Sequence, residues 1–405
     1  LVIVIAVIAI LAAVLIPTFA SIIKKANMSA DQQAVRQMNT FLASEGAVEA
    51  PTSISEARII LLEADIEMKD YKPLTKDMYF YWVKSENRII YADKDNKVVF
   101  PAEFEELEYK MGDWFSLSGE IVENDDWKDS INGGVVTLKD GGSLVSLMEA
   151  YNNNDTKATA VTKITLEKDI DLMGSATNFK KITKNVEFDG NGKTVYGLCS
   201  NASVFNKNNS AGEASSYGYG LFAQIGDVTS KKTANVTVKN VTFDGAVVDD
   251  PENSAEVSGA GIVAGIVYYG STLNIEDVAV KNCYVRAEKK AGALIGYVAH
   301  NKIGNKTDNP CTVTIKNVKV ENVTVIAGRE AAALIGFVQQ SNLSATGLTT
   351  KNITVEADSS YGYKYSSDKL TATNDKGENK RGITSKDYWD ASKATFAEGP
   401  TNFAK

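Results

Sequence analysis

The chain has a single histidine, His300, among 405 residues, and only three cysteines, Cys199, Cys283 and Cys311. No cysteine stands at CxxC spacing or beside a histidine, which removes the usual zinc-ligand sets. His300 lies in the polar run AHNKIGNK with no serine or cysteine nucleophile near it, so no triad can be assembled. The expectation is therefore no metal, no cofactor and no catalytic residue: a protein that is not an enzyme. Three cysteines cannot all pair within one chain; a Cys283–Cys311 bridge on an exported protein and buried free thiols both stay open. A basic excess is missing as well. With 43 Lys and Arg against 51 Asp and Glu, a net charge of −8 and no basic stripe, nucleic acid is not an expected partner. The most informative absence is local: the first 23 residues carry no charged side chain, and Lys24 and Lys25 end the run abruptly.

What fills that stretch is LVIVIAVIAILAAVLI, Leu1 to Ile16, about 24 Å of helix at ~1.5 Å per residue and nearly a bilayer span. A cleavable secretory signal has a shorter apolar region that ends in a small-residue cleavage site. Here the helical pattern continues, with Val35, Met38, Phe41 and Leu42 at spacings of three and four, so one long helix is greasy in its first half and amphipathic to about residue 44. These residues resemble the mature N-terminus of the type IV pilin (methylation-motif) family: an unbroken apolar run with a proline, here Pro17, near its end. Five residues that the family places before Leu1, including the methylated aromatic and a register-setting glutamate, are absent, so Leu1 is not expected to be the true start.

The resemblance implies a membrane-held precursor that is processed by prepilin peptidase and polymerised by the pilus assembly machinery into an extracellular filament, a helical homopolymer. The side chains implied in membrane storage and filament packing are Leu1, Ile3, Ile5, Val7, Ile8, Ile10, Leu11, Val14, Leu15, Pro17 and Phe19. Pro17 lacks an amide hydrogen and its ring opposes the Ala13 carbonyl, so a kink or local melting is expected over 13–16. A plain single-pass membrane anchor is the bland alternative.

After residue 48, Ser53-Ile54-Ser55-Glu56 has capping-box spacing and opens a short helix with Ala57, Ile60, Leu61 and Ala64 on one face. The runs MYFYWV, RIIYA and KVVFP, separated by short polar turns, predict an antiparallel meander. A sheet against the far half of a long helix also matches the pilin resemblance over 49–120. Residues 121–140 read as a linker.

From Gly141 the pattern changes to short Val, Ile and Thr runs broken by Asn and Gly. NVTVKNVTF, DVAVKNCYV, NVKVENVTV and GLTTKNITV align with Asn240, Asn282, Asn322 and Asn352 in one column, alternating with AGIVAGIV, AGALIGYV and AAALIGFV. In NVKVENVTV, Val318, Val320, Val323 and Val325 all point inward only if the chain turns at Asn322, in the left-handed conformation asparagine tolerates. Stacked coils follow. The segment resembles pectate-lyase-like β-helices and surface proteins with GLUG-type repeats, and 143–153 reads as an amphipathic helix covering the first coil. The fold expected is thus an α+β pilin, its long N-terminal helix packed on a small antiparallel sheet, followed by a right-handed parallel β-helix over 141–360 and a C-terminal extension over 361–405.

Acids do not recur at one register in these repeats, which argues against a polysaccharide lyase or hydrolase. The repeated motifs SSYGYG and SSYGYKY make Tyr217, Tyr219, Tyr361 and Tyr363 candidate contacts for surface glycans; packing against the barrel or a neighbouring subunit is the structural alternative. The function expected is a pilus subunit that displays its large domain for contact, adhesion or motility. The alternatives are a minor tip adhesin and a membrane-anchored carbohydrate-active protein.

Overall fold

The computed structural model describes residues 2–45, 50–66, 71–175, 177–201, 218–227, 229–250, 258–299, 301–303, 306–308, 310–338 and 341–357, with strands at 364–366, 371–373 and 380–381; of 2–18, 45, 201, 250, 301–303, 306–308 and the strands beyond 357 it describes the backbone alone. The chain divides into two compact units, Leu1–Ser118 and Gly119–Lys405.

The first unit opens with α1 (Val2–Glu45), unbroken through Pro17, so the melting expected over 13–16 does not occur. The lower half of α1 buries Asp31, Val35, Met38 and Leu42, one stripe at helical spacing. Phe41 is only half-buried. α2 (Ile54–Glu63) is capped by Ser53, whose hydroxyl accepts from the Glu56 amide. The Glu56 carboxylate reaches back to the amide and hydroxyl of Thr52, so the box closes one residue earlier than its usual form. Strands β1 (Met78–Val83), β2 (Arg88–Asp93), β3 (Val98–Phe100) and β4 (Trp114–Ser116) form one antiparallel sheet in the order β3-β2-β1-β4. The meander appears where the sequence placed it, while β4, three residues long, adds a strand the pattern did not show.

Two buried polar groups tie this unit together. Both Asp31 oxygens are used: Oδ1 accepts from the Leu74 amide at 2.7 Å, and Oδ2 from the Thr75 amide at 3.0 Å and the Tyr91 hydroxyl at 2.9 Å. Burial beside that carboxylate pushes the Tyr91 phenol well above its ordinary range. Asn39 answers the backbone of Ile89 in both directions, donating to its carbonyl at 2.8 Å and accepting from its amide at 2.7 Å. β3 pairs only with Tyr91 and Ala92, so this side chain serves part of β2 that β3 does not reach. Arg58 of α2, fully buried, donates to the carbonyls of Ser116 and Leu117 behind β4.

The second unit is mostly parallel sheet, compatible with the β-helix the sequence suggested. Successive circuits of the chain add strands to a long sheet with two bends, which give it three faces, and four of them, between residues 218 and 338, also add strands to two short sheets. The first face stacks Val135–Leu138, Lys163–Leu166, the opening halves of Val186–Tyr196 and Asn235–Asp244, the start of Thr272–Ala287, then Thr312–Lys316 and Asn342–Thr346, all in parallel register. Lys319–Ala327 and Thr349–Ala357 continue it around the other two faces. Residues 121–140, read above as a linker, carry the strand Val135–Leu138 and the buried Trp127 of this core.

The helix expected over 143–153 is α3 (Gly141–Asn152), capped by Asp140. Its Leu144, Val145, Leu147, Met148 and Tyr151 enter the core with Trp127, and Tyr151 meets the edge of Phe179 at 5.5 Å. A helix here shields an end of the stack that would otherwise expose apolar side chains and unpaired strand edges. At the other end, Lys380–Arg381 pairs antiparallel with Ile335–Val338, and Thr371–Thr373 and Lys364–Ser366 extend the same sheet.

The alanine and glycine motif forms the two short sheets. Gly218–Tyr219, Gly259–Ala260, Lys290–Gly292 and Glu330–Ala332 stack as one; Phe222–Ile225, Ala264–Val267, Ile295–Val298 and Ile335–Val338 as the other. The two lie back to back so closely that only glycine fits. A Cβ on Gly265 would sit 2.2 Å from the Tyr219 nitrogen, and one on Gly296 would sit 2.2 Å from the Ala260 nitrogen.

Candidate functional site

Two surfaces can carry function, one in each unit. On α1 the large side chains Phe19, Ile22 and Ile23 are 58%, 56% and 58% exposed, at positions i, i+3 and i+4 of one helical face. They continue the apolar run that precedes them in sequence. Of the residues expected to pack in a membrane or filament, only Phe19 has a described side chain; Leu1 lies outside the described residues, as do the side chains of the others, Ile3 to Pro17. Among the described residues no helix is long and apolar enough to cross a membrane.

On the second unit the corners of the long sheet build the surface. The backbone is left-handed at Asn240, Asp277 and Asn317, with φ of 52°, 54° and 52°, and at Gly347 with φ of 65°. These four stack, because Val241 pairs with Val278 and Lys316 with both Glu276 and Thr346. A second column, five residues on, holds Asn282, Asn322 and Asn352, with Gly245 as its earlier member. The single column of Asn240, Asn282, Asn322 and Asn352 is thereby corrected: Asn240 belongs to the first corner. The physical reason is that both corners follow and precede the same Val-x-Val alternation, so a pattern alone can slip from one to the other within a circuit. Gly245, not Asn240, is the counterpart of Asn282.

At each corner the left-handed residue lets two inward side chains stand three apart. Val238 and Val241 are both buried around Asn240, and Val320 and Val323 around Asn322. The amides also hydrogen-bond up the stack: Asn322 to Asn282 at 3.1 Å, Asn352 to Asn322 at 2.9 Å, Asn317 to Asp277 at 3.0 Å and Asn240 to Asp189 at 3.1 Å. Such ladders satisfy side chains that a corner must expose.

Along the first corner runs a groove of about 700 Å³, lined by Asn191, Gly192, Asn240, Thr242, Asp277, Ala279, Asn317, Lys319 and Gly347, with Val241 and Val278. Beside it the first face carries an alternating column of Asp189, Lys239, Glu276 and Lys316. Lys239 reaches Glu187 at 3.0 Å and Asp189 at 3.7 Å, and Lys316 bonds Glu276. A hydrogen bond from Lys163 holds the Glu187 carboxyl below its ordinary range, so it stays ionised and has no proton to give near neutral pH.

Tyr219 is half-buried and packs against the core; Tyr217, Tyr361, Tyr363 and His300 lie outside the described residues. All three cysteines are buried thiols outside any disulfide. Burial pushes the Cys283 thiol up to about 12 and the Cys311 thiol up to about 11. The native chain is therefore expected to give no reaction with a thiolate-selective chromogenic disulfide at pH 8, and three thiols per chain after denaturation. Rapid labelling without denaturant would contradict the buried placement. Among the described residues no group of three His, Cys, Asp or Glu could hold a metal ion.

No family model, curated protein or solved structure matches this chain. The functional reading therefore rests on the residues themselves.

Proposed function

We propose that the chain is a structural subunit of an extracellular filament of the type IV pilin kind, assembling through α1 and displaying the second unit as a right-handed parallel β-helix for surface contact, adhesion or motility. The observation that carries this is the division of labour along one helix. Residues 31–42 of α1 bury a stripe within their own unit, while Phe19, Ile22 and Ile23, on the same helix, remain exposed next to an uncharged run. Fully burying such side chains stabilises by about 1.5–3 kcal/mol each. A helix with that much uncovered apolar surface needs lipid before assembly and copies of itself afterwards. In this reading prepilin peptidase and the assembly machinery act on the membrane-held form, and the unit beyond residue 118 has no catalytic role.

The test is Ile22→Asp. The site is exposed, so the unit is expected to keep its stability within about 0.5 kcal/mol, while sheared filaments disappear because a charge is forced into a dry bundle. Electron microscopy of the sheared fraction, with circular dichroism of the detergent-solubilised chain, reads both outcomes. Normal filaments from this variant would end the proposal.

A further inference from the structure

The groove along the Asn240, Asp277, Asn317 and Gly347 corner crosses five stacked strands, a length on the order of 20 Å at ~4.8 Å between strands. Its polar groups are only partly used within the chain. Asn240 and Asn317 each give one amide hydrogen to the neighbouring strand, and Asp277 accepts one; the Thr242 hydroxyl and the Lys319 ammonium make no hydrogen bond or ion pair among the described residues. The result is a row of donors and acceptors from Asn240, Asp277 and Asn317 on three successive strands, with the half-buried Ala279 beside them and Val241 and Val278 turned into the core beneath.

Several ligand classes fail on this chemistry. A polyanion such as nucleic acid needs concentrated cations, whereas the lining sets one lysine, Lys319, against one aspartate, Asp277, and the adjacent column neutralises itself in pairs. A peptide strand recognised through its backbone needs a free sheet edge, and here the backbone groups of the floor are already spent between stacked strands. A flat apolar ligand would want aromatic or large aliphatic walls, and the lining has none. A chain of hydroxyl groups, each able to donate and accept, fits a row of amides, a carboxylate and a threonine.

We propose that this groove binds an extended, uncharged polyhydroxylated chain, an oligosaccharide lying across the stacked strands. Asn240, Asp277 and Asn317 supply the floor contacts and Thr242 and Lys319 the wall. The groove's lining includes no residue of the tyrosine motifs, and the proposal rests on the stacking of the second unit, not on the filament reading.

The experiment probes the detergent-solubilised full chain against an array of immobilised neutral oligosaccharides, with polygalacturonate and heparin as polyanionic arms. Ala279→Trp places an indole at mid-groove from an outward position and is expected to cut retention about tenfold or more on every neutral chain that the unaltered protein holds. Asn317→Gly keeps the left-handed backbone while removing the amide, and is expected to cost roughly three- to tenfold. Thermal unfolding of both variants should match the parent, which separates loss of binding from loss of fold. No retained neutral chain, equal retention by both variants, or preference for the polyanions would each overturn the proposal; filament assembly would be untouched by any of these results.

Discussion

Asp31→Ala is expected to open the first unit, at a cost of about 3–5 kcal/mol. Asp31 is 2% exposed, and its carboxylate holds three donors: the Leu74 and Thr75 amides and the Tyr91 hydroxyl. Alanine leaves all three without an acceptor in a site that water reaches poorly, and a buried orphan donor costs roughly 1–3 kcal/mol. The loss also weakens the tie between α1 and the 71–75 segment, where the Asn27 amide donating to the Leu74 carbonyl at 3.3 Å remains. Asp31→Asn should recover only part of the stability, since an amide offers one acceptor atom and turns a donor toward a donor. Hydrogen exchange followed by mass spectrometry on the full chain reads the units separately. Peptides from 78–93 should lose protection by two or more orders of magnitude while peptides from 235–287 keep theirs. Unchanged exchange over 78–93 would mean that the Asp31 cluster is not what holds the helix to its sheet.

Gly296→Ala is expected to disrupt the second unit severely for a single added methyl group. The added Cβ would fall 2.2 Å from the Ala260 nitrogen and 2.4 Å from the Gly259 carbonyl carbon, and both are backbone atoms of the facing short sheet. No rotamer change can relieve a clash between two main chains, so the short sheets must separate and the Leu294, Ile295 and Val298 packing must follow. A loss of about 4 kcal/mol or more is the scale for such a core disruption. Gly336→Ala offers an internal comparison, because its nearest backbone atoms would be 2.7 Å away, and it should cost clearly less. Urea denaturation of the two variants beside the parent gives the ranking. Equal midpoints for all three would refute the close approach of the two sheets.

Much of the fold is legible in the sequence. Ser53 caps α2 because a serine oxygen three residues ahead of Glu56 can meet its amide, a local relation that sequence spacing states directly. The strands β1 to β3 follow from β-rich runs broken by short polar turns, and Asn322 was identifiable as a corner from the phase of the valines around it. β4 was not, since Trp-Phe-Ser is too short to show a period and is a strand only because it pairs with Tyr81 to Val83. Trp127 and Val135–Leu138 looked like linker for the same reason: a lone strand and a lone tryptophan declare a core only once the rest of the stack is present. The slip of Asn240 into the wrong column came from a repeat within a repeat, which only inter-strand pairing resolves.

The candidate sites divide along the same line. The uncharged run ahead of Lys24, the periodicity of α1 and the presence of corner residues are written in the sequence, because they depend on neighbours a few positions away. The groove is not. Its lining comes from five strands more than 150 residues apart from first to last, Asn191 to Gly347, and becomes one surface only through parallel register. Tertiary structure alone also decided that Phe19, Ile22 and Ile23 stay uncovered while Asp31, Val35, Met38 and Leu42 are buried, since exposure depends on where the sheet ends against the helix. Local chemistry fixed the elements of this protein; register and close approach between distant backbones fixed its surfaces.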